Sequence, residues 1–77
     1  MRKRKIVDGI LYDTDKAEII YVDPNKRRTY YMTDHRRFFV VYKTGELVPK
    51  TEEDIRKLLG EYDVDKYLDI FGDVEEA

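Results

Sequence analysis

The sequence predicts an α+β fold: a small antiparallel β-sheet, made of a three-stranded meander plus an N-terminal hairpin, with short helices packed on one face. Three observations predict it. Residues 29–33 and 37–42 are dense in aromatic and β-branched side chains, which suit a pleated, half-buried surface. Asp8-Gly9 sits between short apolar pairs in residues 6–12, and Asp-Gly readily takes the positive φ values of a hairpin turn. After residue 50 the apolar residues recur at helical spacing. Elements of both kinds in so short a chain belong to one domain, residues 1–77, with a sheet on one side of the core and helices on the other.

Taken in order, residues 1–5 are a basic lead into a strand, and residues 6–12 form the hairpin. Residues 13–20 are read as a short helix, because Asp13 or Thr14 can cap it and Asp15 suits its positive end. Asp23-Pro24-Asn25-Lys26 is a turn. Residues 29–33 and 37–42 pair across the tight connection Asp34-His35-Arg36. Residues 38–42 are apolar at every position, so this strand is central and covered by helices. Lys43-Thr44-Gly45 turns into a third strand, Glu46-Leu47-Val48, which Pro49 ends. Thr51 caps a helix whose first turn holds Glu52, Glu53 and Asp54, and Ile55, Leu58, Leu59 and Tyr62 line its inner face. Gly60 reads as its stop. Asp63 caps a second helix carrying Val64, Tyr67, Leu68 and Phe71, which Gly72 ends. The expected core is Phe38, Val40, Ile55, Leu58, Leu59, Leu68 and Phe71. Residues 73–77 read as a frayed acidic tail.

Composition narrows the function classes. The chain has 77 residues, 42% apolar and 42% charged, with no Cys, no Ser and no Trp. A disulfide framework, a thiolate zinc site and cysteine or serine nucleophiles are therefore excluded. One His cannot build a multi-histidine metal centre. No apolar run approaches the roughly 20 residues of a membrane helix, and the basic opening lacks the apolar stretch of a signal peptide. The expected location is cytoplasmic. No membrane partner, metal or cofactor is expected, and the residue inventory argues against an enzyme.

Motifs with metal or nuclease chemistry fail on spacing. Asp63, Asp65 and Asp69 suggest a calcium loop, but the positions that need Gly and Glu hold Leu68 and Val74. No lysine follows an acidic residue at two positions, so the acid-x-Lys pattern of metal-dependent nucleases is missing. Asp8, Asp13 and Asp15 are explained by a turn and a cap. His35 beside Asp34 could act as a base in principle, but no nucleophile accompanies it, and it reads as an exposed turn residue.

Two surfaces remain as candidates. Residues 1–50 hold 12 Lys/Arg against 7 Asp/Glu, and residues 51–77 hold 3 against 10, so the halves carry about +5 and −7. The acidic candidate comprises Glu52, Glu53 and Asp54 in one helical turn, Asp65 and Asp69 four apart on the next helix, and Asp73 beyond it. Such a surface steers a basic partner. The basic candidate is the hairpin in which Arg27, Arg28, Arg36 and Arg37 alternate with Tyr30 and Tyr31. Rings that stack bases beside arginines that neutralise phosphate suit single-stranded nucleic acid. Residues 39–42 also echo the end of the RNA-recognition-motif octapeptide. Its upstream glycine positions are Arg and Phe here, and aromatic residues are equally the ordinary material of a sheet core.

The segment Lys5-Ile6-Val7-Asp8-Gly9-Ile10-Leu11-Tyr12-Asp13-Thr14-Asp15-Lys16-Ala17 resembles the start of a family of small uncharacterised proteins from Firmicutes, their phages and plasmids. Tyr42-Lys43-Thr44-Gly45-Glu46 is similar to their strand-turn-strand segment, and residues 48–54 and 63–76 to their acidic C-terminal helices. The glycine-rich, tryptophan-containing insert of many relatives is missing. The resemblance carries no catalytic signature. It implies a mobile-element setting, in which small acidic proteins antagonise host defence, CRISPR nucleases included. The expectation is a non-enzymatic, anti-CRISPR-like binding protein that inhibits a host nucleic-acid-handling complex through its acidic helices. The alternative is a nucleic-acid-binding accessory protein that uses the basic-aromatic hairpin.

Overall fold

A computed structural model describes residues 2–77, so Met1 of the basic lead lies outside the described residues. Strands β1 (Arg4–Val7) and β2 (Ile10–Asp13) pair as an antiparallel hairpin. Asp8 and Gly9 turn it, with φ of 53° and 76°. The larger sheet is a four-stranded meander in the order β3 (Ala17–Val22), β4 (Arg28–Thr33), β5 (Phe38–Tyr42), β6 (Leu47–Lys50). Helices α1 (Glu52–Tyr62) and α2 (Val64–Ile70) follow. The architecture is α+β, as the patterning predicts.

The meander has four strands rather than three because residues 17–22 are extended. Asp13 does act as a cap, and its side chain accepts from the backbone N–H of Asp15. The turn it starts, Thr14–Lys16, is a single 3-10 turn. Beyond it, Ile19, Ile20 and Val22 are β-branched and lose rotamer freedom in a helix. They pair with β4 instead, with a register shift at Ile20. Pro49 does not end β6 either. It lies opposite Phe39 in an edge strand, where its missing N–H costs no ladder bond.

The meander is covered on both faces. Phe38 and Val40 of β5 join Ile20, Tyr30, Ile55, Leu59 and Ile70 under the helices. Phe39, one residue out of phase, joins Tyr12 and Leu47 under the β1–β2 hairpin. Period-two alternation thus sends β5 into two separate cores, and Phe39, Val40, Ile55 and Leu59 are fully buried. Each such side chain contributes roughly 1.5–3 kcal/mol. Lys5 fastens the hairpin by donating to the Leu47 carbonyl at 3.3 Å.

Two details of the helices depart from the pattern. Gly60 does not stop α1, which continues to Tyr62. Leu68 is 43% exposed, while Ile70 takes the core position. Tyr67, Ile70 and Phe71 satisfy the same i, i+3, i+4 spacing as Val64, Tyr67 and Leu68, turned about the helix axis. Arg36, at φ 60°, reaches from the β4–β5 turn to donate to the Ile70 carbonyl at 2.6 Å. That bond satisfies one of the acceptors left open at the end of α2.

Candidate functional site

The acidic candidate lies in the helical layer. Thr51 closes a capping box at the start of α1: its hydroxyl accepts from the Asp54 N–H, and the Asp54 carboxylate accepts from the Thr51 N–H. Asp54 is therefore turned back into the cap. Glu52 and Glu53 remain outside, where the positive end of the helix favours them. Ile55 and Leu59 face the sheet, so the polar residues of α1 face away from it.

Arg56 is the hub of this layer. Its Nε donates to Glu52 at 2.9 Å, and its Nη1 donates to Asp73 at 3.0 Å and to the Tyr67 hydroxyl at 2.9 Å. Its guanidinium also lies 4.2 Å from the centre of the Phe71 ring, a cation–π distance. These contacts bring Glu52 and Asp73 together although 21 positions separate them in the chain. Asp73 holds Arg56 above its ordinary pKa, helped by Glu52 and Tyr67. Arg56 in turn holds the Asp73 carboxyl below the ordinary range. The tail is thus anchored at Asp73 rather than frayed from its start.

The remaining acidic candidates are spread over the surface. Glu53 pairs with Lys57 at 3.4 Å, and Lys66 reaches Glu18 at 3.1 Å and Asp69 at 3.7 Å. Asp63 accepts from the Lys66 N–H as the cap of α2. Asp65 and Asp69 are both exposed on that helix. In the Arg56 and Lys66 pairs the cation is the covered partner. These two side chains are 32% and 24% exposed, against 59–72% for Glu52, Asp73, Glu18 and Asp69. Carboxylates therefore stand outward with the cations beneath them. Exposed pairs of this kind add little to stability, and their outer carboxylate oxygens stay open to a partner's cations.

The basic-aromatic hairpin is arranged differently from a single stacking face. Arg27 and Arg28 lie at the start of β4, and Arg36 and Arg37 lie in the turn after it, at opposite ends of the strand. Tyr30 is buried under the helices, and Tyr31 is half-buried, stacked on Phe39 at 4.9 Å on the other face. Burial pushes the Tyr31 hydroxyl pKa up. Arg28 is committed to Asp23 at 2.8 Å, and Arg36 to Ile70. Arg27 and Arg37 are exposed and make no ion pair among the described residues. His35 is exposed in its turn. Among the described residues, no three His, Asp or Glu side chains converge as a metal site.

Comparison with protein-family models, curated proteins and solved structures finds no match to this chain. The site residues therefore stand on their own geometry. Arg56 is the one whose role the sequence only half revealed. Its i, i+4 spacing to Glu52 is legible, whereas its reach to Asp73 depends on the turn between α1 and α2.

Proposed function

We propose that this chain is a non-enzymatic binding protein of a phage or mobile element. Its acidic helical layer acts as a phosphate mimic that occupies the basic groove of a host nucleic-acid-handling defence complex. The observation that carries this reading is the layering of charge. Residues 51–77 hold 3 Lys/Arg against 10 Asp/Glu, and all three cations, Arg56, Lys57 and Lys66, are tied to carboxylates. Arg56 and Lys66 lie beneath their carboxylates, and Lys57 is as exposed as Glu53, so the outward surface that remains is net anionic, as a nucleic-acid backbone is. A groove that binds phosphates recognises such a surface over a long range, with strong ionic-strength dependence.

Affinity capture from host lysate, with identification of the bound proteins, tests the reading. The captured partner is then titrated with wild-type protein and with the Asp65→Lys, Asp69→Lys double variant, whose folding is checked by circular dichroism. Binding at least tenfold weaker for the folded variant at low salt, with a gap to wild type that narrows as salt rises, supports it. Equal binding across the salt series would falsify phosphate mimicry.

A further inference from the structure

At the end of the sheet where β3 turns into β4, the cross-strand pair Tyr21 and Tyr30 meets Tyr62 of α1. Tyr21, Tyr30 and Tyr62 line a cavity of about 200 Å³, completed by Pro24, Leu58 and the Asp23–Arg28 ion pair. That volume is smaller than the roughly 300–1,000 Å³ of a whole-ligand pocket, and it suits a single planar ring. The Tyr21 and Tyr62 rings are 31° from parallel, with centres 6.3 Å apart. A ring inserted between two others needs about 7 Å, two carbon contacts of about 3.5 Å each. The rings are closer than that and tilted, so no slot lies between them, and a base stacks instead on the outer side of Tyr62, which is 67% exposed. Beyond its contact with Tyr21, Tyr62 offers an exposed stacking surface at the lip of an aromatic cavity.

The charges around the mouth select the ligand. Lys26 and Arg27 are exposed in the turn that carries Asp23 and Pro24, and they make no ion pair among the described residues. Lys43 is brought to the same end by its backbone N–H, which donates to the Arg27 carbonyl at 2.8 Å. Arg28 is fixed at the cavity wall by Asp23, at 2.8 Å. The carboxylates nearby are largely engaged. Asp23 accepts from Arg28 and from the Asn25 N–H, and Asp63 caps α2. Glu46 lines the neighbouring surface with Arg27 and Lys43, and Glu61 precedes Tyr62.

We propose that this cavity is a nucleobase site for single-stranded nucleic acid: one base stacks on Tyr62 at the mouth of the cavity, and Lys26, Arg27 and Lys43 hold the flanking phosphates. Stacking on tyrosine is open to every base, so the site favours single strands over duplexes without strong sequence preference. The site keeps Arg27 and Tyr30 of the basic-aromatic hairpin, with Arg28 as part of the cavity wall, and replaces its far end with Tyr21 and Tyr62. It does not depend on the acidic layer, so either reading can fail alone.

The test uses the full chain and fluorescein-labelled octamers of deoxythymidine and of uridine, followed by anisotropy over a salt series. The expected result is binding at low salt that weakens steeply as salt rises. Tyr62→Ala weakens it about tenfold, and Tyr62→Phe, which keeps the ring, binds as wild type. Lys26→Ala and Arg27→Ala each reduce the slope of log K against log salt by about 0.7, whereas Arg37→Ala at the far end changes nothing. In amide NMR spectra, uridine monophosphate moves the resonances of residues 21–28 and 62. Four results overturn the proposal: no binding at low salt, unchanged binding by folded Tyr62→Ala, equal affinity for duplex, or tyrosine shifts produced by choline but not by the nucleotide. The last would assign the rings to a quaternary ammonium cation.

Discussion

Asp13 is 2% exposed, a charged side chain where apolar ones are the rule. It is tolerated because its carboxylate accepts from Arg2 at 2.6 and 3.3 Å and from the Asp15 N–H at 3.0 Å. The Arg2 hydrogen bond is the main reason its pKa falls below the ordinary range. Asp23 is lowered in the same direction by the Asn25 amide and Arg28, and Asp73 by Arg56. A lowered carboxyl pKa stabilises the fold fully above the unfolded value, and that contribution disappears as pH falls through the folded value. Stability is therefore expected to fall as pH drops below about 4. Arg2→Ala should raise the Asp13 titration midpoint seen by NMR, and should cost more stability at pH 7 than at pH 2. At Leu59, which is fully buried, substitution by Ala should cost about 2–5 kcal/mol in urea unfolding. Phe38, Val40, Ile55 and Leu59 were legible as core because strand and helix periods converge on them. Leu68 and Ile70 were not distinguishable, because Val-Asp-Lys-Tyr-Leu-Asp-Ile-Phe offers two apolar stripes and only packing selects one.

At the scale of elements, the signals that worked were local chemistry with one outcome. Asp8-Gly9 turns a hairpin, Thr51 with Asp54 opens α1, and the aromatic run makes β5. Those that misled had two outcomes. Residues 17–22 follow a competent cap yet extend, since pairing with β4 outweighs the cap. Gly60 can end a helix or sit within one, and here it sits within. A methyl group at Gly60 would meet the Tyr67 ring at 3.9 Å, an ordinary contact. Gly60→Ala is accordingly expected to stabilise the protein by about 0.5–1 kcal/mol, read as a higher urea midpoint. Thr51→Ala removes the capping box and should cost about 0.5–2 kcal/mol in the same measurement.

For the molecule as a whole, the difference in charge between the halves was visible in the sequence, but its layering was not. Which side of an ion pair lies deeper depends on the packing of α1 against α2. The stacking of the β1–β2 hairpin on the second face of the meander was equally hidden, because the hairpin exposes Ile6 and Leu11 on one side while Val7, Ile10 and Tyr12 pack on the other. Nothing in their order says which side meets the sheet. The cavity of Tyr21, Tyr30 and Tyr62 likewise joins residues that no sequence motif connects. Deleting residues 2–13 should uncover Phe39 and Leu47 and leave a chain that binds a hydrophobic dye and loses cooperative unfolding. The two-sided cover of β5 also sets a condition on synthesis. The ribosome makes the hairpin and the whole meander before any residue of α1, so one face of the sheet is clothed early while Phe38 and Val40 still face water. That bare face is closed only when Leu59 and Ile70 dock, so any chain that has paired its strands without its helices is a half-sandwich with an apolar surface of the kind that aggregates.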